Sequence, residues 1–121
     1  MSEAPLTKAD LMQFSGSESL FRHSLISRIR YTEGVQYVAK TAGAYWLVDE
    51  ITFNQLDPAV AAEPFQHWKL VVDLGRHTAI LTCDDGNDVV VFTKRIEFTD
   101  FPLDEIGFYF VDNTILLPSE Y

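Results

Sequence analysis

The chain has 121 residues, a net charge of −9, 47% hydrophobic residues and 13% aromatic residues. That is the size of one domain with a core of its own, one that needs neither disulfides nor metal to fold. A single cysteine, Cys83, excludes an internal disulfide and points to a reducing cytoplasm. No apolar run approaches the roughly 20 residues of a membrane span, and the N-terminus lacks a signal-peptide pattern. The reading is therefore one soluble cytoplasmic domain over 1–121.

In chain order, residues 1–5 read as a loose, flexible end. Thr7 caps a short helix over 8–14, with Asp10 in its first turn, and Ser15-Gly16-Ser17 stops it. Residues 20–31 fit two patterns. Leu20, Phe21, Leu25, Ile26 and Ile29 have helical spacing, whereas Ile26, Arg28, Arg30, Tyr31 and Thr32 suit a strand, and a mostly extended segment is favoured. Val35, Val38, Ala39 and Ala42 then repeat as one helix face up to Gly43. Ala44, Leu47, Val48, Ile51 and Gln55 predict a second helix, and 56–64, with two prolines, is a connection.

Beyond Phe65 the period changes to two. Residues 66–73 place Trp68, Leu70 and Val72 on one side and His67, Lys69 and Val71 on the other. Strands follow over 77–83 and 88–99, joined by Asp84-Asp85-Gly86-Asn87, whose residues tolerate positive φ. In 88–99, Val90, Phe92, Ile96 and Phe98 form a row that Lys94 interrupts. Residues 106–111 and 114–117 flank Asp112-Asn113 as a last hairpin. Short turns imply antiparallel neighbours. The expected fold is α+β, with N-terminal helices packed on one face of a mostly antiparallel sheet of four to five strands. The apolar 115–117 segment is expected at a sheet edge, where two copies could pair as a homodimer.

Tyr31-Thr32-Glu33-Gly34-Val35, Ala42-Gly43-Ala44-Tyr45-Trp46-Leu47-Val48-Asp49, the block 98–106 and Leu116-Leu117-Pro118-Ser119-Glu120-Tyr121 are the most distinctive blocks. Together they resemble a family of small bacterial proteins, often plasmid- or phage-borne, classed as a domain of unknown function. The resemblance spans about 14–121. It implies a mobile-element setting, in which small acidic proteins are often inhibitors of host defence, and it assigns no functional residues.

Charge is unevenly spread. From Asp84 to Tyr121, nine carboxylates face only Lys94 and Arg95, leaving −7; over 21–40, Arg22, Arg28, Arg30 and Lys40 against Glu33 leave +3. Nucleic-acid affinity comes from Lys and Arg displacing counterions, so direct nucleic-acid binding is not expected. The three arginines are expected to pair with the domain's own surplus acids.

His23, His67, His77 and Cys83 show no metal-ligand spacing, and no glycine-rich loop marks a nucleotide site, so neither metal nor cofactor is expected. Cys83 with His67 is the one pair that keeps nucleophilic catalysis open. Asp49 is expected to satisfy an indole or phenol donor, or to pair with Arg28 or Arg30.

The favoured binding residues are Asp84, Asp85, Asp88, Asp100, Asp104 and Glu105, gathered on one rim of the sheet with Phe101 as an anchor and further aromatics at Phe108, Tyr109 and Phe110. Such a rim suits a protein partner with a basic nucleic-acid-binding surface, as an anti-CRISPR or anti-restriction inhibitor would need. The alternative is a small enzyme or small-molecule-binding domain, with Trp46, Asp49, His67 and Cys83 around a pocket between helices and sheet.

Overall fold

A computed structural model describes residues 5–15 and 19–121. The loose end expected at 1–5 and the stop at Gly16-Ser17 lie outside the described residues, apart from Pro5. Helix α1 (Lys8–Met12) begins as the sequence predicts, at a reciprocal cap. The Thr7 hydroxyl accepts from the Asp10 N–H at 3.3 Å, and the Asp10 carboxylate accepts from the Thr7 N–H at 2.9 Å.

The ambiguous stretch resolves as two short strands, β1 (Leu20–Arg22) and β2 (Arg30–Thr32). Helix α2 (Glu33–Thr41) buries Val35, Val38 and Ala39. Gly43, at φ 62°, makes the turn into α3 (Tyr45–Asn54), which buries Leu47, Val48 and Ile51. The expected connection over 56–64 contains one further turn, α4 (Pro58–Ala61). Asp57 caps it and proline occupies its first position, where a missing N–H costs nothing.

Five strands follow: β3 (Phe65–Asp73), β4 (Thr78–Asp84), β5 (Val90–Ile96), β6 (Glu105–Val111) and β7 (Thr114–Leu116), then a 3₁₀ turn at Pro118–Glu120. The class is α+β as expected, but among the described residues the sheet has seven strands and not four to five, in the order β1-β2-β7-β6-β3-β4-β5. Two strands fall between α1 and α2, and β2 lies parallel to β7 while every other pair among the described residues is antiparallel. The long connection from β2 to β7, through α2 to α4 and then β3 to β6, is the crossover that parallel neighbours need.

The expected sheet edge at 115–117 is corrected. Strand β7 is interior, between β6 and β2, with Ile115 and Leu117 buried to 0% and 1% exposure. The edges are β1 and β5.

Helices α2, α3 and α4 lie over one face of the sheet. Register puts Leu70 beside Leu81 and Ile106, and Trp68 beside Cys83 and Phe108, all buried in this layer. Lys94, which breaks the apolar row of β5, reaches Glu50 of α3 in an ion pair. A bulge between Cys83 and Asp84 moves Val90 out of the row, and Phe98 is exposed beyond the strand.

Candidate functional site

The sheet separates the sequence-predicted site residues in two ways. Cys83 and His67 are not neighbours across a site, because they project from opposite faces. Cys83 packs beside Trp68, fully buried, whereas His67 pairs in register with Asp84 and Tyr109 on the other face. Burial, with Asp84 nearby, pushes the Cys83 thiol up to about 12, so no thiolate is available for attack at neutral pH.

The acidic residues do not form one rim. Asp84, Asp85 and Asp88 belong to the β4–β5 hairpin, whereas Asp100 and Asp104 lie in the β5–β6 connection and Glu105 starts β6, at the far end of the sheet. Strand β4 separates the two ends by about 20 Å at roughly 3.3 Å per residue. Phe101 is no surface anchor: it is 2% exposed, and its N–H donates to Thr99 Oγ1 at 3.1 Å. Phe108 and Phe110 are also core residues, because their alternation places them under the helices.

The two ends differ in compensation. At the far end, Asp104 pairs with Lys8 at 2.7 Å, Glu105 with Lys69 at 3.4 Å and Asp73 with Arg76 at 3.9 Å. The Lys8 ammonium holds the Asp104 carboxyl below its ordinary range, first by its hydrogen bond and then by its charge. At the hairpin end, Asp84 pairs with His67 Nδ1 at 3.0 Å and accepts from the Gly86 N–H. Asp85 accepts from the N–H groups of Asn87 and Val89, which stabilises its own turn but cancels no charge. Among the described residues Asp85, Asp88 and Asp112 at this end make no ion pair, and at the far end Asp100 makes none.

An aromatic group adjoins the β4–β5 hairpin at Gly86 and, through His67, at Asp84. The Phe65 ring lies 5.0 Å from Tyr109 and 5.5 Å from Tyr121, and Tyr109 and Tyr121 meet edge-on at 5.3 Å. The His67 ring is 5.6 Å from Tyr109. Gly86 leaves the space Phe65 needs, since a Cβ there would stand 3.0 Å from the ring. Tyr121 is 72% exposed. Sequence reasoning included Tyr109 and missed Phe65 and Tyr121. Their convergence depends on the C-terminal segment crossing the sheet face, for which periodicity carries no signal.

Asp49 pairs with none of its expected partners. His23 Nε2 donates to its Oδ1 at 2.8 Å, while His23 Nδ1 accepts from the N–H groups of Leu25 and Ile26. Those two bonds place the ring proton on Nε2, and the histidine is buried. Trp46, Asp49, His67 and Cys83 therefore do not converge. An apolar cleft of about 320 Å³ lies elsewhere, between α1, the start of β6 and the 3₁₀ turn, with Lys8 and Glu105 in its lining.

Two of the four distinctive sequence blocks meet at the N-terminus of α2. The Glu120 carboxylate accepts from the Thr32 hydroxyl at 2.6 Å, the Leu117 N–H at 2.9 Å and the Gly34 N–H at 3.3 Å. Thr32 in turn caps α2 by accepting from the Val35 N–H. The Tyr31–Val35 and Leu116–Tyr121 blocks are thus parts of one clasp. A model of a family of unknown function, DUF6876, matches residues 5–121, and the chain belongs to that family. No curated protein matches it. No solved structure matches it either.

Proposed function

We propose that the chain is a non-catalytic binding protein that engages a basic protein partner through the hairpin end of its sheet. The observation carrying this reading is the contrast in compensation. Asp85, Asp88 and Asp112 lie in turns at the end of the sheet that carries the ring cluster of Phe65, Tyr109 and Tyr121 and make no ion pair among the described residues, while at the other end only Asp100 is unpaired and Asp104 and Glu105 are ion-paired. Uncancelled charge steers a basic partner, and aromatic rings supply the contact area that holds it. The most concrete form is a mobile-element inhibitor, of the anti-CRISPR or anti-restriction kind, covering a basic nucleic-acid site. The family resemblance supports that setting, and the acidic surface supports the kind of partner.

The test is a pull-down with immobilised protein from a bacterial lysate carrying restriction or CRISPR machinery. Retained proteins are eluted by salt and identified by mass spectrometry. A basic partner should be retained at low salt and released as ionic strength rises past about 0.1–0.2 M, where the screening length falls below about 10 Å. Reversing Asp85, Asp88 and Asp112 to Lys should abolish retention, as should Tyr121→Ala in large part. Reversing Asp100, Asp104 and Glu105 should leave it nearly intact. Retention insensitive to both salt and hairpin reversal would sink the proposal.

A further inference from the structure

The cations of this acidic chain fall into two sets. Lys8, Lys69, Arg76, Lys94 and Arg95 each make an ion pair. Arg22, Arg28, Arg30 and Lys40 make none among the described residues, although the chain carries 18 carboxylates. The expectation that the arginines pair with the domain's own acids is thereby corrected.

Two of them are brought together by the sheet. Arg22 and Arg30 are register partners of β1 and β2, so their side chains leave the same face. The His23 N–H donates to Ile29 O, and the Arg30 N–H turns away to Asn113 O. Arg22 and Arg30 are therefore a non-hydrogen-bonded pair, the type in which opposed side chains stand closest. Like charges directly opposite each other destabilise a sheet.

Both guanidiniums are tethered by backbone carbonyls, which hold position without cancelling charge. Arg22 Nη1 donates to Ser27 O at 3.1 Å, and Arg30 Nη2 to Asp112 O at 3.4 Å, a long bond. Arg30 Nε is shielded from solvent and has no hydrogen-bond partner among the described residues. An oriented pair of positive forks, repelling each other and short of acceptors, is the arrangement that an oxyanion completes.

We infer that Arg22 and Arg30 form a binding site for a phosphate group carried as a dianion, either free or as a phosphomonoester. The charge count selects phosphate over carboxylate. One carboxylate neutralises one arginine, whereas a phosphate near neutral pH carries close to two charges and three acceptor oxygens. A nucleic-acid strand is disfavoured, since each phosphodiester carries one charge and the rest of the surface is acidic. The site adjoins the surface of the proposed function at Asp112, whose backbone carbonyl holds Arg30, but it is built from cations and takes a ligand of opposite sign.

The experiment is a titration of the full chain, followed by amide chemical shifts, with inorganic phosphate, phenyl phosphate, acetate and oligothymidylate. Phosphate or phenyl phosphate should give saturable 1:1 shifts at Arg22, Ser27, Arg30 and Asn113, with a dissociation constant on the order of 1 mM. The tighter of the two tells a monoester from the free ion. Arg22→Gln should weaken binding by about tenfold or more, and Arg22→Lys by less, because lysine keeps the charge but not the fork. Arg22 is exposed, so folding of these variants is checked by a cooperative thermal transition and native amide dispersion without ligand. The inference is overturned if neither phosphate saturates these amides by about 20 mM. It is equally overturned if Arg22→Gln binds as the wild type does, if acetate matches phosphate, or if oligothymidylate binds more tightly than phenyl phosphate.

Discussion

Gly34 occupies the first turn of α2, and replacing it with alanine would ordinarily help. Glycine in a helix is about 0.5–1 kcal/mol worse than alanine. Here the added Cβ would stand 2.7–2.8 Å from the Glu120 carboxyl atoms, inside contact distance. The carboxylate is the end of a flexible side chain and can move away, but only by leaving the Thr32 hydroxyl and the Leu117 and Gly34 N–H groups. Hydrogen bonds to a charged group contribute about 1.5–3 kcal/mol, and a negative charge at a helix N-terminus adds about 0.3–1 kcal/mol. These contributions overlap, so losing the clasp should cost about 2–3 kcal/mol in all. The helix gain offsets part of that, and Gly34→Ala should destabilise by about 1–2 kcal/mol. Glu120→Ala alone should cost the full clasp. In that background Gly34→Ala should change sign and stabilise by about 0.5–1 kcal/mol. Urea unfolding of the four proteins in the cycle measures each difference and the coupling. A stabilising Gly34→Ala in the wild-type background would refute the clasp, as would the same change in both backgrounds.

Two further outcomes follow from the core. Cys83 should resist thiol reagents in the folded protein at pH 8 and react only on unfolding; rapid labelling under native conditions would contradict its burial. Because its folded value lies above the ordinary 9.0, the folded state keeps the proton longer, and its contribution to stability should fall as pH rises from about 9 towards 12. Gln66 is fully buried and joins Gln55, the Val60 and Glu63 carbonyls and the Trp68 indole N–H. Gln66→Leu should cost about 2–4 kcal/mol by stranding the indole donor and Gln55. A shift in Trp68 fluorescence and a lower urea midpoint report it, and a neutral substitution would show that these groups find other partners.

Local patterns declare themselves in a sequence because they follow from neighbours along the chain. The Thr7 cap with Asp10, the break at Gly43, the alternation of Trp68, Leu70 and Val72, and the two hairpins are all of this kind. So is the lopsided charge. The pairing β2–β7 is different, for it joins segments more than 80 residues apart, and its strands are only three residues long. Too short to show a period, β1 and β2 remained ambiguous, and β7 looked like an edge.

The site was less legible than the fold. Composition identified an acidic C-terminal third, but strand direction decides which end of the sheet each turn occupies. That is how Asp84 and Asp104 come to be a strand length apart. Face assignment separated Cys83 from His67, because adjacent strands set their register by hydrogen bonding and not by chemistry. Sequence alone determined helices α1 to α3, strands β3 to β6 in outline, and the sign and bias of the charge. Tertiary structure decided which charges are cancelled: paired at Lys8 and Lys69, uncancelled at Asp85, Asp88 and Asp112, and opposed at Arg22 and Arg30. Cancellation depends on distances between residues far apart in the chain, and only the folded sheet sets those distances.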